Sequence, residues 1–432
     1  MLRISSYINA VEMGKLDTVL AELYGEKDIP LQKQRYLFLL RRMEKWAGDD
    51  LTLMVSAPGR TELGGNHTDH NKGVVLAAGV SFDCLAVAMP TGGNVVRVRS
   101  EGFPDVIEVD LTELEPREGE EGTPAALIRG VADGFVQAGY TIEGFDACIS
   151  GEVPVGAGLS SSAAFEVCIG RIFNELFNDG TVSRVELARI GRRAENLHFG
   201  KPCGFMDQLA CAVQGVLSID FKDEQNPKVT EVDVDFESFG YQLCVVDTGG
   251  DHADLTPEYA AIPEEMCSAA RVLGQETARG LTMELVLEKA AEIRRLAGGR
   301  GLLRLIHFIE ESERAQLQAD VLRHGDIHKF LRLVNASGDS SWKLLQNCIS
   351  LKHANEQPIT VALTLTERFL EGRGAWRIQG GGFAGTIQAY VPSEMFESYT
   401  AYMETVFGSG SVVPLRIRKS GNEVILPKGT EA

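Results

Sequence analysis

No apolar run in this chain reaches 18 residues, so no membrane-spanning helix is expected. The first stretch, Met1 to Lys15, alternates polar and apolar residues and lacks the apolar centre of a secretory leader. The eight cysteines include no C-x-x-C pair, and Cys84, Cys148, Cys168 and Cys244 lie within apolar runs. Buried, reduced thiols of a cytoplasmic protein fit that scatter better than disulfides or a zinc site. Basic residues are in deficit: 42 Lys and Arg against 61 Asp and Glu leave a net charge of −19. An acidic surface repels nucleic acid and anionic membranes, so neither is expected as a partner. Any anionic ligand must then be met by local basic groups. Internal repeats and low-complexity tails are missing too. Of the nucleotide-binding fingerprints, G-x-x-x-x-G-K-[ST] is absent, and Ser161 stands where G-x-G-x-x-G needs its third glycine.

What is present suits a globular chain of two or three domains: 432 residues, 44% of them hydrophobic. Residues 1–48 read as helical, most clearly from Leu31 to Trp46, where Tyr36, Leu39, Leu40 and Met43 recur at helical spacing. Leu51 to Ser56 reads as a strand entering a turn at Pro58-Gly59. Val74 to Met89 suits one long strand or a hairpin, and shorter strands are expected at Val95 to Val98 and Val106 to Val109. A helix is expected over Thr123 to Ala138, and a strand returns at Ala147 to Val153. A further helix from Val185 to Phe199 opens on an S-x-x-E capping box, Ser183 and Glu186. A polar, acidic stretch at 222–238 places a domain boundary that divides 1–222 from 223–432. Beyond it come a strand at Tyr241 to Asp247, helices across 258–372 with Phe330, Trp342 and Leu344 as core, and a strand–glycine turn–strand unit at Trp376 to Val391. Strands and helices mix without a βαβ rhythm, which favours α+β over a doubly wound sheet.

Four clusters carry chemistry. Gly156-Ala157-Gly158-Leu159-Ser160-Ser161-Ser162 lies between a strand pattern and a helix pattern. Glycines allow close backbone approach and positive φ, the helix N-terminus offers N–H donors, and the serines add hydroxyls. That combination predicts a phosphate cradle; the plainer alternative is a serine-rich helix cap after a flexible turn. The segment from Ser56 to Gly73 is polar yet flanked by strands, which suits a ligand with many hydroxyls such as a sugar. A metal site at His67, Asp69 and His70 is the rival, disfavoured because no fourth ligand has suitable spacing. In Gly200-Lys201-Pro202-Cys203-Gly204-Phe205-Met206-Asp207-Gln208, Asp207 is either a helix cap or a general base. The turn from Gln379 to Thr386 either aims backbone N–H groups at a phosphate or is a plain glycine hairpin.

Together, from Ala57 to Thr386, the clusters resemble the galactokinase-type GHMP small-molecule kinases. Pro58-Gly59-Arg60, His67-Thr68-Asp69 and Gly73-Val74-Val75-Leu76 match parts of that family's first signature. Gly158-Leu159-Ser160-Ser161-Ser162-Ala163 and Cys203-Gly204-Phe205-Met206-Asp207-Gln208 match the second and third, and the last, G-G-G-F-G-G, appears with Ala384 for one glycine. The resemblance implies a two-domain α+β fold of mixed sheets and helices, with ATP and a sugar meeting in the cleft between lobes. It implies phosphorylation of the C1 hydroxyl of galactose with Mg²⁺, and no obligate protein partner. Asp207 would be the acid beside the anomeric hydroxyl and Arg60 its partner. Ser162 and Glu195 would hold Mg²⁺, Gly156 to Ser162 would wrap the phosphates, and Asn66, His67, Asp69, Gly204 and Tyr259 would receive the sugar. The chain departs from the family at Asn66, where galactokinases carry Glu near the C6 hydroxyl. It departs again at Glu62 for Asn, Gly64 for a large aliphatic and His70 for Tyr. The amide at Asn66 raises galacturonate as an alternative substrate. A non-catalytic sugar and ATP sensor is the alternative of another class.

Overall fold

The computed structural model describes residues 1–154, 156–250 and 255–427. Strand β1 (Leu2–Arg3) leads into helices α1 (Ile4–Glu12), α2 (Asp17–Tyr24) and α3 (Ile29–Ala47). Strands β2 (Leu51–Gly64), β3 (Val74–Pro90), β4 (Val95–Ser100) and β5 (Ile107–Asp110) follow, then α4 (Pro124–Gln137) and β6 (Phe145–Gly151). Next come α5 (Ser161–Phe177), α6 (Arg184–Ala194), α7 (Met206–Ala212), β7 (Val216–Asp220) and β8 (Lys228–Val232). The rest runs β9 (Tyr241–Asp247), α8 (Thr256–Val272), α9 (Met283–Glu288), α10 (Ala290–Arg323), α11 (Ile327–Ser340) and α12 (Pro358–Leu370). It closes with β10 (Ala375–Ile378), β11 (Thr386–Pro392), α13 (Phe396–Phe407), β12 (Val412–Leu415) and β13 (Glu423–Val424). No helix of the described residues is long and apolar enough to cross a membrane.

The strands form two sheets. The larger runs β1-β2-β3-β6-β4-β5, with β13 added to β2, β7 added to β3, and β8 added to β7. Its pairs are antiparallel apart from β4 with β6. The smaller sheet, β10-β11-β9-β12, is antiparallel throughout. Interspersed strands and helices with largely antiparallel pairing make this an α+β fold, as the pattern predicts. Strands β8 and β13 lie beyond residue 222 in the chain yet pair into the larger sheet.

The larger sheet is buried on both faces, which explains why β3 and the Leu53–Val55 stretch of β2 read as almost unbroken apolar runs. Leu53, Val55, Ala57, Ala86 and Ala88 face one core with Val167 and Ile169 of α5. Met54, Leu85, Val87 and Met89 face the other, with Tyr36, Leu39, Leu40 and Met43 of α3. Each large side chain sealed this way contributes roughly 1.5–3 kcal/mol, so the N-terminal helices are a packing layer rather than a free surface.

The turn expected at Pro58-Gly59 is not there. Strand β2 continues to Gly64, and its register against β3 shifts between Pro58 and Arg60 and again between Glu62 and Gly64. Proline gives no ladder N–H, so it is tolerated where pairing is already interrupted. A bulge also bends the strand and re-aims the side chains that follow. Those side chains are Arg60 and Glu62. Across from them, Gln388 of β11 donates to the Thr61 hydroxyl (2.7 Å) and to the Glu62 carbonyl (3.0 Å), joining the two sheets.

Candidate active site

The phosphate-loop segment leaves β6 and ends at the first turn of α5. Gly156 and Gly158 hold φ of 84° and 66°, the left-handed region that favours glycine. Ala157 and Leu159 are buried and anchor the loop. The carbonyls of Ala157, Gly158 and Leu159 are turned into the protein. Thr386 donates to the Ala157 carbonyl (3.1 Å), Gln379 to that of Gly158 (3.1 Å), and the Arg60 backbone N–H to that of Leu159 (2.9 Å). The Arg60 guanidinium also reaches the Gly158 carbonyl. In a trans peptide the N–H points opposite its carbonyl, so the N–H groups of Gly158, Leu159 and Ser160 face away from the protein side. Ser161 and Ser162 open α5, whose first N–H groups have no acceptor within the helix. Ser160, at φ 57°, does not cap that helix; its hydroxyl turns instead to Asp207.

Asp207 lies inside the first turn of α7, two residues past the cap position at Phe205, so it is not a helix cap. Arg60 grips it with two bonds, Nε to Oδ1 at 2.7 Å and Nη2 to Oδ2 at 2.9 Å. Burial works to raise the Asp207 pKa, but Arg60, then Ser160 and Lys201, hold it down to about 2. The acid is therefore ionised at neutral pH and well placed to accept or orient a hydroxyl.

Helix α6 starts as its capping box predicts, with Ser183 accepting from the Glu186 N–H at 3.1 Å. It does not continue regularly to Phe199: Glu195–Phe199 form a wide π turn. That turn presents the fully buried Glu195 to Ser162, whose hydroxyl donates to Oε1 at 2.8 Å. Lys201 Nζ stands 3.0 Å from the same oxygen, and Gln208 donates to Oε2 at 2.6 Å. Burial disfavours the charge on Lys201, yet Glu195 and Asp207 together raise its pKa above the ordinary lysine value. A cation already stands on Glu195 Oε1, the oxygen that Ser162 also reaches, and a hydroxyl and a carboxylate are the hard oxygen donors that a divalent ion such as Mg²⁺ takes.

The polar segment after β2 forms the third wall. His67, at φ 58°, donates from Nε2 to the Gly381 carbonyl (2.9 Å) and stacks on His70 with centroids 6.1 Å apart. Burial and then His70 push its pKa down to about 4, so the ring is neutral and keeps Nδ1 as an acceptor. Asp69 lies against Gly204: a Cβ there would sit 1.8 Å from Oδ2, so this contact requires glycine. Tyr259 on α8 donates to the Gly382 carbonyl at 2.7 Å and meets Phe383 edge to face. The carbonyls of Gly380, Gly381 and Gly382 in the glycine turn thus accept from Asn66, His67 and Tyr259. This turn is the hairpin of β10 and β11, and its carbonyls brace the polar segment.

Residues 44–90 match the galactokinase galactose-binding signature, and residues 126–215 match the GHMP kinases N-terminal domain. A galactokinase of Actinobacillus pleuropneumoniae is 30% identical over 359 residues, 83% of this chain and 90% of that protein. The chain belongs to the galactokinase family. A Streptomyces coelicolor galactokinase is 28% identical over 84% of this chain and 90% of that one. The crystal structure of Lactococcus lactis galactokinase complexed with galactose superposes with a TM-score of 0.75 at 26% identity, covering 89% of this chain and 98% of that chain. The GHMP kinase fold and a sugar-kinase activity follow for this family member.

One expected site residue departs from its expected role. Asn66 is fully buried and both ends of its amide are taken. Nδ2 donates to Glu62 (3.0 Å) and to the Gly380 carbonyl (2.8 Å), while Oδ1 accepts from Asn347 (2.8 Å) and Ser341 (3.3 Å). It braces the wall and offers no group to a C6 hydroxyl, which removes the ground for a galacturonate preference. Glu62, the other departure from the family pattern that the sequence resembles, is buried and paired with Arg377, so a carboxylate and an amide lie side by side at these two positions. Gly64 likewise has its reason, since a Cβ there would lie 1.8 Å from Gln318 Oε1.

Sequence reasoning missed four participants. Lys201 and Gln208 stand in the third cluster and carried a signal as polar neighbours of Asp207. Glu166 of α5 accepts from Gln208 at 3.0 Å and is 1% exposed. Glu311 of α10 binds the Gly65 N–H at 3.0 Å from 246 residues away, and no local pattern marks it.

Proposed function

We propose that this chain transfers the γ-phosphoryl group of ATP to the C1 hydroxyl of galactose, giving galactose 1-phosphate and ADP. The observation that carries this reading is the convergence on one carboxylate: Asp207 is held at once by Arg60 from β2 and by Ser160 from the phosphate loop. The acid for the acceptor and the donor's cradle thus share a hydrogen-bonded corner. His67, Asp69, Gly204 and Tyr259 receive the sugar. Gly156 to Ser162 receive the phosphates, on N–H groups and the dipole end of α5. Residues 1–222 and 223–432 act as the two lobes, with β8 and β13 returning to the first.

Phosphoryl transfer passes through a loose transition state, so alignment and charge neutralisation supply most of the barrier lowering. Asp207 orients the hydroxyl from the start. With a pKa about 2 it is a weak base, so it accepts the proton only as the C1 oxygen joins phosphorus, and then loses it to water. Arg60 balances the acid and steadies charge on the loop side. Ser162 and Glu195 are the residues that would hold Mg²⁺, which when bound offsets the phosphate charge. The reaction belongs in the cytoplasm, with sugar and nucleotide as partners.

The test is ADP release with ATP and a panel of hexoses, with the product read by phosphorus NMR. Galactose-dependent ADP and a phosphorus signal coupled to the anomeric proton are expected. Tight binding of both ligands without ADP release would make the chain a regulator instead.

A further inference from the structure

We infer that Lys201 is a further catalytic residue, a mobile cation that leaves Glu195 and contacts the transferring phosphoryl group. This rests on the ATP and galactose reading above. The lysine sits in a turn set by Gly200, at φ 80°, and by Pro202. Its backbone N–H bonds to the Glu195 carbonyl at 3.1 Å. The base of the side chain is thereby pinned beside the residue that its head group touches.

The ammonium and the Ser162 hydroxyl converge on a single oxygen, Glu195 Oε1, at 3.0 and 2.8 Å. That is the position a divalent ion held by Ser162 and Glu195 would share. The lysine side chain is 57% exposed while Glu195 is sealed. An ion pair with one exposed partner is weak, whereas a divalent and a monovalent cation on one oxygen repel strongly. Lys201 must therefore swing away once the carboxylate is coordinated.

Its alternatives in the protein are few. Glu195 Oε2 is taken by Gln208. Asp207 Oδ1 is taken by Arg60, and Oδ2 by both Arg60 and Ser160. Glu166 is 1% exposed, behind Gln208. Phosphate oxygens arriving over the loop at Ser160 to Ser162 would offer the displaced ammonium a doubly or triply charged acceptor group. There the ammonium meets charge spread over the equatorial oxygens of the loose transition state, where fixed cations act most strongly. Arg60 is committed to Asp207 and to the Gly158 carbonyl, whereas the half-exposed Lys201 has, among the described residues, the freedom to follow the phosphoryl group.

The experiment compares wild type, Lys201→Met and Lys201→Arg. Without turnover, calorimetry gives affinities for a non-hydrolysable ATP analogue and for ADP, each with Mg²⁺. The analogue-to-ADP preference should fall about tenfold in Lys201→Met and recover in Lys201→Arg, with ADP affinity unchanged. Mn²⁺ binding followed by paramagnetic resonance should tighten in Lys201→Met, because a competitor for Glu195 is gone. In turnover, kcat should fall about 10²-fold at unchanged KM for galactose. Thermal melts confirm that both variants fold. An analogue-to-ADP preference equal to wild type, or a wild-type kcat, in Lys201→Met overturns the inference. Failure of the wild type to release ADP with galactose would instead overturn the parent reading.

Discussion

At the scale of single residues, Asp207 carries a prediction that its geometry makes sharp. Asp207→Asn keeps the size and a contact for Ser160 but removes the charge that Arg60 grips. Positioned acid–base groups contribute about 10²–10⁴-fold, so kcat should fall by that range while nucleotide affinity is retained. Steady-state kinetics with calorimetric ADP binding decide it, and near-normal turnover would remove Asp207 from the chemistry. The adjoining carboxylate and amide at Glu62 and Asn66 give a second test. Asn66→Glu would set a second buried carboxylate against Glu62, whose one arginine partner is Arg377, which should destabilise by about 3 kcal/mol or more. Adding Glu62→Asn restores one carboxylate and one amide, and should recover much of that loss. Denaturant titration of the two single variants and the double variant measures the coupling. Asp207, Arg60 and Ser162 stood out in the sequence because each lies in a short contiguous pattern, whereas Glu195, outside those patterns, was named only through the family resemblance. The role of Asn66 was not legible, because Ser341, Asn347 and Gly380 reach it from 275, 281 and 314 residues away.

At the scale of elements, periodicity revealed most helices and strands but not where they deform. Pro58-Gly59 reads as a turn from composition, yet the ladder on either side carries β2 through it as a bulge. Trp342 reads as core, yet it is 46% exposed. A π turn over Ser341–Leu345 adds a residue to the spiral, so Leu345 and Ser341 face inward and Trp342 outward. The same device at Glu195–Phe199 aims Glu195. One extra residue in a turn leaves no mark in an apolar pattern, and such turns recur at functional sites. Helix α10 supports the sugar wall through Glu311, which accepts from Gly65 N–H (3.0 Å) and Ser337 (2.5 Å) and pairs with Arg314. Burial works to raise its pKa, but Arg314, then His307 and Arg377, bring it down to about 2. A carboxyl held below its unfolded value stabilises the fold above that unfolded value, and the contribution is lost as pH falls toward 2. The shift from 4.5 to about 2 corresponds to roughly 3 kcal/mol at neutral pH. Glu311→Gln should therefore be clearly less stable than wild type at pH 7. Melting curves of the two should converge as pH drops from about 5 toward 2; a constant gap across that window would refute the assignment.

At the scale of the whole molecule, the helical layer of residues 1–47 is tied to the strand end before the phosphate loop chiefly through Arg35, with Gln32 donating to Glu152 at 2.9 Å and Tyr24 to Asp83 at 2.6 Å. The family signatures begin at residue 44, so most of this layer lies outside them. Arg35 of α3 pairs with the fully buried Asp83 of β3 at 2.7 Å and with Glu152 at 2.9 Å, and it donates to the Ser150 carbonyl at 2.7 Å. Glu152 stands four residues before Gly156, and its own N–H bonds to the Asp83 carbonyl at 2.8 Å. The strand end that launches the loop is thus clamped from behind. Removing Arg35 leaves Asp83 with Arg418 at 3.7 Å as its one remaining ion-pair partner. Stranding a buried charge in this way costs about 3–5 kcal/mol, so Arg35→Met should unfold at markedly lower urea. Glu152→Gln, at a partly exposed position, should cost no more than about 1 kcal/mol. The two variants should nonetheless share a kinetic signature. Because the clamp meets the donor side of the cleft and no part of the sugar wall, KM for ATP should rise in both while KM for galactose holds. A parallel rise of both constants would mean that the layer supports the fold in general and has no particular hold on the phosphate loop.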